Sequence, residues 1–493
     1  MPPLVLALDQ GTTGSTVLAV DNAGEVRGRG YQEITQHYPQ PGWVEHDPDE
    51  IWTSIEAAAK SALAEAGASP SDVAAIGITN QRETLVLWDR ATLRPLRPAI
   101  VWQDRRTARE CDRLREAGHS DAVRRVTGLV IDPYFTATKL ALALREGVPD
   151  GAAAGTVDSW LIARLTGGLH ATDASNASRT LLLDISGGTW SEEMADLFGV
   201  GLDVLPEVRP SSGDLGRSDP DRFGGVAAPI AGVAGDQQAA LFGQGCRRPG
   251  QAKNTYGTGS FVLLQTGESR VDSSRGMLTT VAWLREGDLS YALEGSIFVT
   301  GASLQWLRDG LGVIASAAEA GPLAASVPDS GGVYFVPAFT GLGAPHWDPY
   351  ARGTLIGLTR GSTKAHVVRA AVEAMAYQTA DVVEAMTADA GRPFEELRVD
   401  GGASVMDALC QFQADLLGVP VRRPRATETT ALGAAYLAGL ATGFWEGEEA
   451  VDGIWRLDRE FEPRMSRDEA QSSLQEWRRA LERSKRWAGE GTL

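Results

Sequence analysis

The chain has 493 residues, a length typical of two or three domains with a substantial core. Its hydrophobic fraction of 43% and charged fraction of 22% exclude a largely disordered or fibrous protein. The formal net charge of −18 disfavours binding to nucleic acid and to anionic membrane surfaces, so a polyanionic ligand would need a locally built pocket. Arginine pairs begin at positions 105, 124, 247 and 422, and we expect them on solvated faces.

Cysteine usage and the first residues indicate a cytoplasmic protein. Cys111, Cys246 and Cys410 are far apart in the sequence, which argues against a disulfide framework and against a cysteine-ligated zinc site. The N-terminal segment has no basic start and meets an acid at Asp9 after a short apolar run, so it does not resemble a signal peptide. We expect it to form a buried first strand.

The first half of the chain predicts alternating strands and helices. Residues 4–20, LVLALDQGTTGSTVLAV, have the pattern of a hairpin whose turn is rich in Gly and Thr. Asp47 as N-cap and Pro48 in the first turn predict a helix that ends near Gly67, and residues 73–79 predict a strand. This alternation indicates an α/β fold.

The second half repeats this plan. A polar break, RRPG at 247–250, is followed by AKNTYGTGSFVLLQT, which again predicts strand, Gly/Thr turn and strand. Further on, LRVDGG and VPVRRP predict strands that flank a helix ending at Gly418, and a polar helix is predicted over 467–487. We therefore expect two domains, residues 1–250 and 251–493.

The uncharged stretch from Thr429 to Trp445 approaches the minimum length of a membrane-spanning helix. It consists mostly of Ala, Gly and Thr, which favour close packing between protein elements. We therefore expect a buried helix there and no membrane insertion.

Two Gly/Thr turns, residues 11–14 and 257–260, are candidate phosphate-binding elements. The common patterns GxxxxGK[ST], GxGxxG, HRD, GxSxG and HExxH are all missing from the sequence. Glycines let backbone N–H groups approach a phosphate, and hydroxyls can hydrogen-bond its oxygens. One such turn can be an ordinary hairpin, but two at equivalent places favour a cleft that clamps a polyphosphate.

Two aspartates lie where strands end. Asp9 lies just before the first turn. Its carboxylate could bind Mg²⁺ directly or through the water shell of the ion, or Asp9 could be an ordinary solvated turn residue. Asp236 follows Gly235 and begins a helix, where local pattern favours an N-cap and a catalytic carboxylate about equally.

Arg82 and Glu83 are adjacent beyond a predicted strand and offer donors and an acceptor at one place. Such pairs are commonly surface residues, but a neutral polyol, whose hydroxyls both donate and accept, would suit them. Trp102, Tyr134 and Phe261 could then supply an apolar wall, although each taken singly is more typical of a core.

A series of blocks in the sequence closely resembles the glycerol kinase family. The blocks include DQGTTG, PGWVEHDP, AIGITNQRET, IVWQDRRT, SNASRT, AGDQQAALFGQ, KNTYGTGSF, GASLQWLRD, GLGAPHWDPYARG and TALGAAYLAGL, and they occur in the family's order over nearly the whole chain. The family belongs to the carbohydrate kinases of the actin, hexokinase and heat-shock ATPase superfamily. The resemblance implies two actin-like (ribonuclease H-like) α/β domains with a nucleotide and substrate cleft between them.

The resemblance also implies a function and a site. It implies ATP-dependent phosphorylation of glycerol to sn-glycerol 3-phosphate with Mg²⁺, by a homodimer or homotetramer, with Asp236 as the general base. The implied glycerol pocket is Arg82, Glu83, Trp102, Tyr134, Asp236, Gln237 and Phe261. The implied nucleotide site is Thr12, Thr13, Gly14 and Thr258 at the phosphates, and Gly301, Gln305, Gly402 and Met406 at the nucleoside. Asp9 and Asp236 are the implied metal residues.

Three positions depart from the family pattern. Gly14 stands where serine is common, Thr16 where many members carry arginine, and Met406 where many carry asparagine. We expect weaker phosphate contacts and one lost polar contact to the nucleoside. Residues 224–227, GGVA, lack the arginine that members inhibited by fructose 1,6-bisphosphate carry, so we predict no such inhibition.

Two alternatives stay open. The acceptor could be another small polyol or a ketose, such as erythritol or a pentulose. A protein of this superfamily could also be a nucleotide-switched binding protein, but Asp236 and the polyol pocket residues favour a kinase.

Overall fold

The structure, a computed structural model, describes residues 2–488. The strands are β1 (Leu4–Gln10), β2 (Gly14–Val20), β3 (Val26–Glu33), β4 (Glu45–His46), β5 (Val73–Asn80), β6 (Val86–Asp89), β7 (Ala99–Ile100), β8 (Ala152–Gly155), β9 (Ala171–Asp173), β10 (Leu183–Asp184), β11 (Thr189–Trp190), β12 (Glu207–Arg209), β13 (Ile230–Gly235), β14 (Ala252–Tyr256), β15 (Ser260–Gly267), β16 (Leu278–Arg285), β17 (Asp288–Ile297), β18 (Tyr334–Val336), β19 (Thr354–Ile356), β20 (Leu397–Asp400), β21 (Val421–Pro424) and β22 (Leu457–Phe461).

The α-helices are α1 (Pro48–Ala66), α2 (Ala108–Glu116), α3 (Ser120–Thr127), α4 (Thr136–Glu146), α5 (Val157–Thr166), α6 (Ala174–Ala177), α7 (Glu192–Phe198), α8 (Asp236–Gly243), α9 (Gly301–Asp309), α10 (Ala317–Ala325), α11 (Lys364–Ala390), α12 (Asp407–Leu417), α13 (Thr429–Ala441), α14 (Glu448–Asp452) and α15 (Arg467–Leu481).

Two mixed sheets share one plan. The first has the order β13-β5-β1-β2-β3, with β1 antiparallel to β2 and parallel to β5. The second has the order β16-β17-β15-β14-β20-β21-β22, with β14 antiparallel to β15 and parallel to β20. In each sheet a hairpin with a Gly/Thr turn therefore lies beside a parallel strand. The repeat predicted from the sequence and the α/β fold class are confirmed.

Local signals account for the first helix. The Asp47 carboxylate accepts the backbone N–H of Asp49, Pro48 is the first helical residue, and Gly67 ends the helix at φ 65°. Glycine tolerates this left-handed conformation without a Cβ penalty. The apolar face of α1 packs on the first sheet so closely that a Cβ on Gly30 would lie 1.9 Å from the carbonyl oxygen of Ala58.

Helix α13 belongs to the second half of the sequence but covers the first sheet. A Cβ on Gly77 of β5 would lie 2.2 Å from the Ala434 carbonyl oxygen, and one on Gly433 would lie 1.9 Å from that of Ala239. The small residues of this segment therefore permit backbone contact, as expected for a buried helix. Among residues 2–488, no helix combines the length and the apolar character needed to cross a membrane.

The expectation that all four arginine pairs lie on solvated faces was wrong for two of the pairs. The Arg106 side chain is 1% exposed, because it pairs with Asp104 at 2.7 Å and its guanidinium lies 3.7 Å from the Trp43 ring centre. Arg247 is also buried, at 6% exposed, and only some members of the four pairs are solvated. The doublets carry no periodicity that marks a buried face, so their partners, distant in sequence, decided their position.

The last helix is shorter than predicted. It begins at Arg467 as expected but ends at Leu481 rather than at residue 487. Ser466 caps it and bonds reciprocally with Glu469, which is a capping box. Trp477 anchors the helix, because it is buried and donates its indole N–H to Asp381 at 2.7 Å.

Candidate active site

The candidate site lies where parallel strands of both sheets end. Asp9 is near the end of β1, Arg82 follows β5, Asp236 follows β13, and the turn at 257–260 follows β14. Carboxyl ends of neighbouring parallel strands meet at one edge of a sheet, where α/β proteins commonly bind ligands. The fold therefore gathers residues that are far apart in the sequence.

Arg82 is the centre of the predicted acceptor pocket. Its guanidinium is 2% exposed, and its Nε lies 3.0 Å from Oδ1 of Asp236. Its Nη1 donates to Glu294 at 2.6 Å, and its Nη2 approaches the Tyr134 hydroxyl at 3.4 Å. The fixed fork of donors thus orients Asp236 and Tyr134 at once.

Glu83 is held in an unusual conformation beside Arg82. Its φ of 62° is in the left-handed region, which is rare for a residue with a Cβ and is maintained only by surrounding contacts. Arg179 donates to its carboxylate at 2.7 Å, and Thr136 and Lys139 donate to its carbonyl at 3.1 and 3.3 Å. The bonds to the carbonyl hold the backbone of Glu83, and the bond from Arg179 fixes the direction of its carboxylate.

The three predicted aromatic residues do lie around this centre. The rings of Trp102 and Tyr134 pack edge to face with centres 5.6 Å apart. Phe261 lies with its ring centre 5.7 Å from the Arg82 guanidinium carbon. Tyr134 is buried, whereas Trp102 and Phe261 are partly exposed, so the set forms an apolar wall beside the charged groups.

The first Gly/Thr turn is bonded to this wall. Trp102 donates its indole N–H to the Thr12 hydroxyl at 3.0 Å, and Gln36 donates to the Thr12 carbonyl at 2.7 Å. Thr13 is exposed, which leaves its hydroxyl accessible to a ligand. The first Gly/Thr turn and the predicted acceptor pocket are therefore contiguous.

Gly14 is required by its neighbour on β3. A Cβ at this position would lie 2.7 Å from the Tyr31 hydroxyl and 2.8 Å from the Gln32 carbonyl oxygen. Thr16 pairs directly with both Asp9 and Tyr31 across the sheet, so all three share one face. The departure at position 14 is thus coupled to a tyrosine that fills the same space.

Two of the segments that carry predicted nucleoside residues border the second turn. Gly301 donates its N–H to the Gly257 carbonyl at 3.0 Å, and a Cβ on Gly401 would lie 2.5 Å from the Tyr256 carbonyl. Thr258, Gln305 and Gly402 are exposed, as contact residues for a ligand would be.

Met406 differs from these residues, because it is only 8% exposed. Its Cγ lies 3.4 Å from the position that a Cβ on Gly321 would take.

Asp236 combines anchoring with access. It is the first residue of α8, and its Oδ1 accepts both the Arg82 Nε–H and the backbone N–H of Gln237, the latter at 2.7 Å. The side chain nevertheless stays 31% exposed. One carboxylate oxygen is thus fixed while the side chain remains reachable, as a general base requires. Helix-terminal and catalytic roles are therefore compatible.

Asp9 fits a cation site. Within residues 2–488 its half-buried carboxylate makes no hydrogen bond or ion pair. Burial, together with the carboxylates of Asp236 and Glu428, raises the pKa of Asp9 to about 8. A divalent cation would offset such clustered negative charge. The described residues contain no group of three or more metal-binding side chains, so phosphate and water oxygens would have to complete its coordination.

Sequence reasoning missed three buried charged residues at this site: Glu294, Arg179 and Lys253. Glu294 accepts from Arg82 and from Arg179, the latter at 2.9 Å, and this pairing lowers its pKa to about 2 despite burial. Two features of the sequence could have identified these residues. Arg179 and Lys253 occur in blocks that carry the family resemblance, and Glu294 is an isolated acid within an apolar strand.

Comparison with known proteins agrees with this geometry. Residues 4–243 match the N-terminal domain, and residues 252–442 the C-terminal domain, of the FGGY family of carbohydrate kinases. Glycerol kinase from Trichlorobacter lovleyi is 58% identical over 98% of this chain and 99% of its own length. Glycerol kinase 2 from Thermotoga maritima is 56% identical over 98% of this chain and 99% of its own.

Solved structures share the fold. The structure of Plasmodium falciparum glycerol kinase with ADP superposes with a TM-score of 0.90 at 34% identity, covering 98% of both chains. Xylulose kinase from Rhodospirillum rubrum gives 0.84 at 25% identity over 97% of this chain and 98% of its own. This chain belongs to the FGGY family of carbohydrate kinases.

Proposed function

We propose that this protein is a kinase that transfers the γ-phosphoryl group of ATP to a terminal hydroxyl of glycerol, forming sn-glycerol 3-phosphate. The observation that carries the proposal is the Arg82–Asp236 contact, which fixes a partly exposed carboxylate within a pocket of donors, acceptors and aromatic rings. Relatives that are more than half identical over nearly their full length are named glycerol kinases, which supports the same acceptor.

The acceptor would be held by complementary polar groups. Arg82 supplies donors, Glu83 an acceptor, and the adjacent rings of Trp102 and Tyr134 contact the carbon chain. Each hydroxyl of a polyol both donates and accepts, so this mixed set suits a neutral molecule with several hydroxyls better than an anion. Gln237 and Phe261 complete the proposed pocket.

Asp236 would act as the general base. Phosphoryl transfer passes through a loose transition state, so positioning and charge neutralisation provide most of the acceleration. Asp236 would orient the attacking hydroxyl and accept its proton as the new O–P bond forms and the bond between the γ-phosphorus and the bridging oxygen of the leaving ADP breaks. General-base catalysis of this type contributes typically about 10²- to 10⁴-fold.

The nucleotide would span the two Gly/Thr turns. Thr12, Thr13 and Gly14 would contact the phosphates from the first turn, and Thr258 from the second. Gly301, Gln305, Gly402 and Met406 would line the nucleoside end. Asp9 and Asp236 would hold Mg²⁺ near the phosphates, and the cation would offset part of their negative charge.

The proposed setting is a cytoplasmic homodimer or homotetramer. Cys111, Cys246 and Cys410 are free and buried, which suits a reducing compartment. The assembly is inferred from the family resemblance, and sedimentation velocity with the purified chain would test it.

An acceptor panel tests the proposed reaction. ADP release with Mg·ATP would be measured with glycerol, dihydroxyacetone, erythritol, xylulose and no acceptor. We expect strong dependence on glycerol and little activity with the larger acceptors. Preference for xylulose or erythritol would identify a different polyol or ketose kinase, and ATP hydrolysis without acceptor dependence would contradict a kinase function.

A further inference from the structure

Lys253 is a buried cation beside the acceptor pocket. The proposed mechanism gives this residue no role. It lies on β14 in the second sheet, is fully buried, and contacts α8 of the first half. A buried ammonium requires hydrogen-bond partners, because it loses its hydration on folding. The partners of the Lys253 ammonium therefore show which neighbouring side chain it holds in place.

The Lys253 ammonium has two side-chain partners. It donates to the side-chain oxygen Oε1 of Gln237, and to the Thr255 hydroxyl at 2.8 Å. An ammonium can only donate, so the Gln237 group that faces it must be the carbonyl oxygen rather than the NH₂ group. Lys253 therefore determines which way round the Gln237 amide lies.

This orientation leaves a donor unpaired. Within residues 2–488, the NH₂ group of Gln237 has no hydrogen-bond partner, although the residue is only 7% exposed. The nitrogen of this NH₂ group is not among the fully buried unpaired polar atoms of the described residues, so it remains accessible to solvent and to a ligand that accepts a hydrogen bond. Gln237 directly follows the proposed base Asp236 at the start of α8, and its backbone N–H bonds to the Asp236 carboxylate.

The surrounding charges favour the protonated amine. The carboxylates of Asp400 on β20, Asp236 on α8 and Glu294 on β17 raise the pKa of Lys253, and the guanidinium of Arg82 lowers it. Burial is the larger effect and lowers the pKa of Lys253 to about 8, so the amine stays mostly protonated at neutral pH.

We propose that Lys253 is a positioning residue that holds the Gln237 amide with its NH₂ group available to donate to a hydroxyl oxygen of the polyol acceptor. The inference rests on the proposed kinase function and deepens it. Lys253 does not touch the acceptor in this scheme and acts only through Gln237.

A double-mutant cycle tests the coupling. Lys253→Met and Gln237→Leu are each expected to raise the glycerol KM about 10- to 100-fold with little change in the ATP KM, because each removes the same oriented donor. The double variant Lys253→Met with Gln237→Leu is then expected to match the single variants. Multiplicative effects would overturn the proposal, because independent sites behave that way.

A second variant avoids dependence on the folding of Lys253→Met. Gln237→Glu keeps an acceptor for Lys253 but removes the NH₂ group. The Tm of this variant should therefore stay near that of the parent protein while its affinity for glycerol falls. The matched control is Thr255→Val, which removes the other partner of Lys253 and should leave the glycerol KM within about twofold. An unchanged glycerol KM in Gln237→Glu would contradict the inference.

Direct binding separates this inference from the proposed function. Titration calorimetry with glycerol alone should detect binding to the parent protein and weaker binding to Gln237→Glu. No binding or turnover with glycerol in the parent would refute the proposed function. Glycerol-dependent turnover in the parent with normal binding in Gln237→Glu would refute the donor role of Gln237, and with it the positioning role of Lys253, while leaving the proposed kinase function in place.

Discussion

Glu294 on β17 pairs with Arg82, which follows β5, at 2.6 Å, so a residue of the second sheet orients the central arginine of a pocket built mainly by the first half. Arg179 shares the same carboxylate at 2.9 Å. Both sheets are therefore needed to set the pocket.

Substitution of Glu294 is expected to destabilise the protein. Glu294→Gln would leave Arg82 and Arg179 buried with too little countercharge, a loss of about 3–5 kcal/mol in the free energy of unfolding. Urea unfolding measures this loss, and the glycerol KM should rise because Arg82 is released. The control Glu448→Gln removes a partly exposed partner of Arg285 and should cost at most about 1 kcal/mol. Equal effects of the two variants would contradict the role of Glu294.

Asp236→Asn tests the assignment of the base. The amide is nearly the same size and can still accept from Arg82, but it cannot take up a proton. We expect turnover to fall about 10²- to 10⁴-fold while calorimetric glycerol binding stays measurable. Retained turnover would refute the assignment.

Gly14→Ser tests the coupling of the first turn to Tyr31. The added Cβ would lie 2.7 Å from the Tyr31 hydroxyl, so we expect a loss of about 1–3 kcal/mol in stability and a raised ATP KM. Adding Tyr31→Ala should recover part of both, since the Gln32 carbonyl also lies within 2.8 Å. The control Gly187→Ser is exposed with its nearest neighbour at 3.5 Å, and should change stability by at most about 0.5 kcal/mol. No recovery with Tyr31→Ala would argue against the coupling.

Met406→Asn tests the departure at the nucleoside end. A restored amide should lower the ATP KM several-fold, because one hydrogen bond is worth about 1 kcal/mol. Stability should fall, since Met406 packs in the core near Gly321. Met406→Leu preserves the packing without the amide and should leave the ATP KM unchanged. A raised ATP KM in Met406→Asn would contradict the expectation.

Asp158 should make stability depend on pH. It is buried, and desolvation followed by the nearby Asp173 carboxylate raises its pKa from 3.8 to about 7. Between these values the folded chain holds a proton that the unfolded chain has lost, so the free energy of unfolding falls as pH rises, by at most about 1.4 kcal/mol per pH unit. Asp158→Asn should flatten this slope in urea unfolding measured from pH 4 to 7. An identical slope in the parent and the variant would refute the assignment.

Local signals in the sequence determined much of the fold. The apolar runs on either side of DQGTTG defined the first hairpin, and Asp47 and Gly67 defined the ends of α1, because caps and turns depend on residues that are neighbours in the chain. The same kind of signal, repeated after residue 250, predicted the second sheet. The family resemblance then named the pocket residues, several of which the structure brings together.

Only the tertiary structure decided which charges meet. The pairing of Glu294 with Arg82, the bond from Lys253 to Gln237 and the burial of Arg106 join segments whose order in the chain does not record their distance in space. The packing of α13 on the first sheet is of the same kind. The sequence by itself determined the elements and the candidate residues, whereas strand pairing between distant segments decided the partners, because a buried charge is stable only where the fold supplies its counterpart.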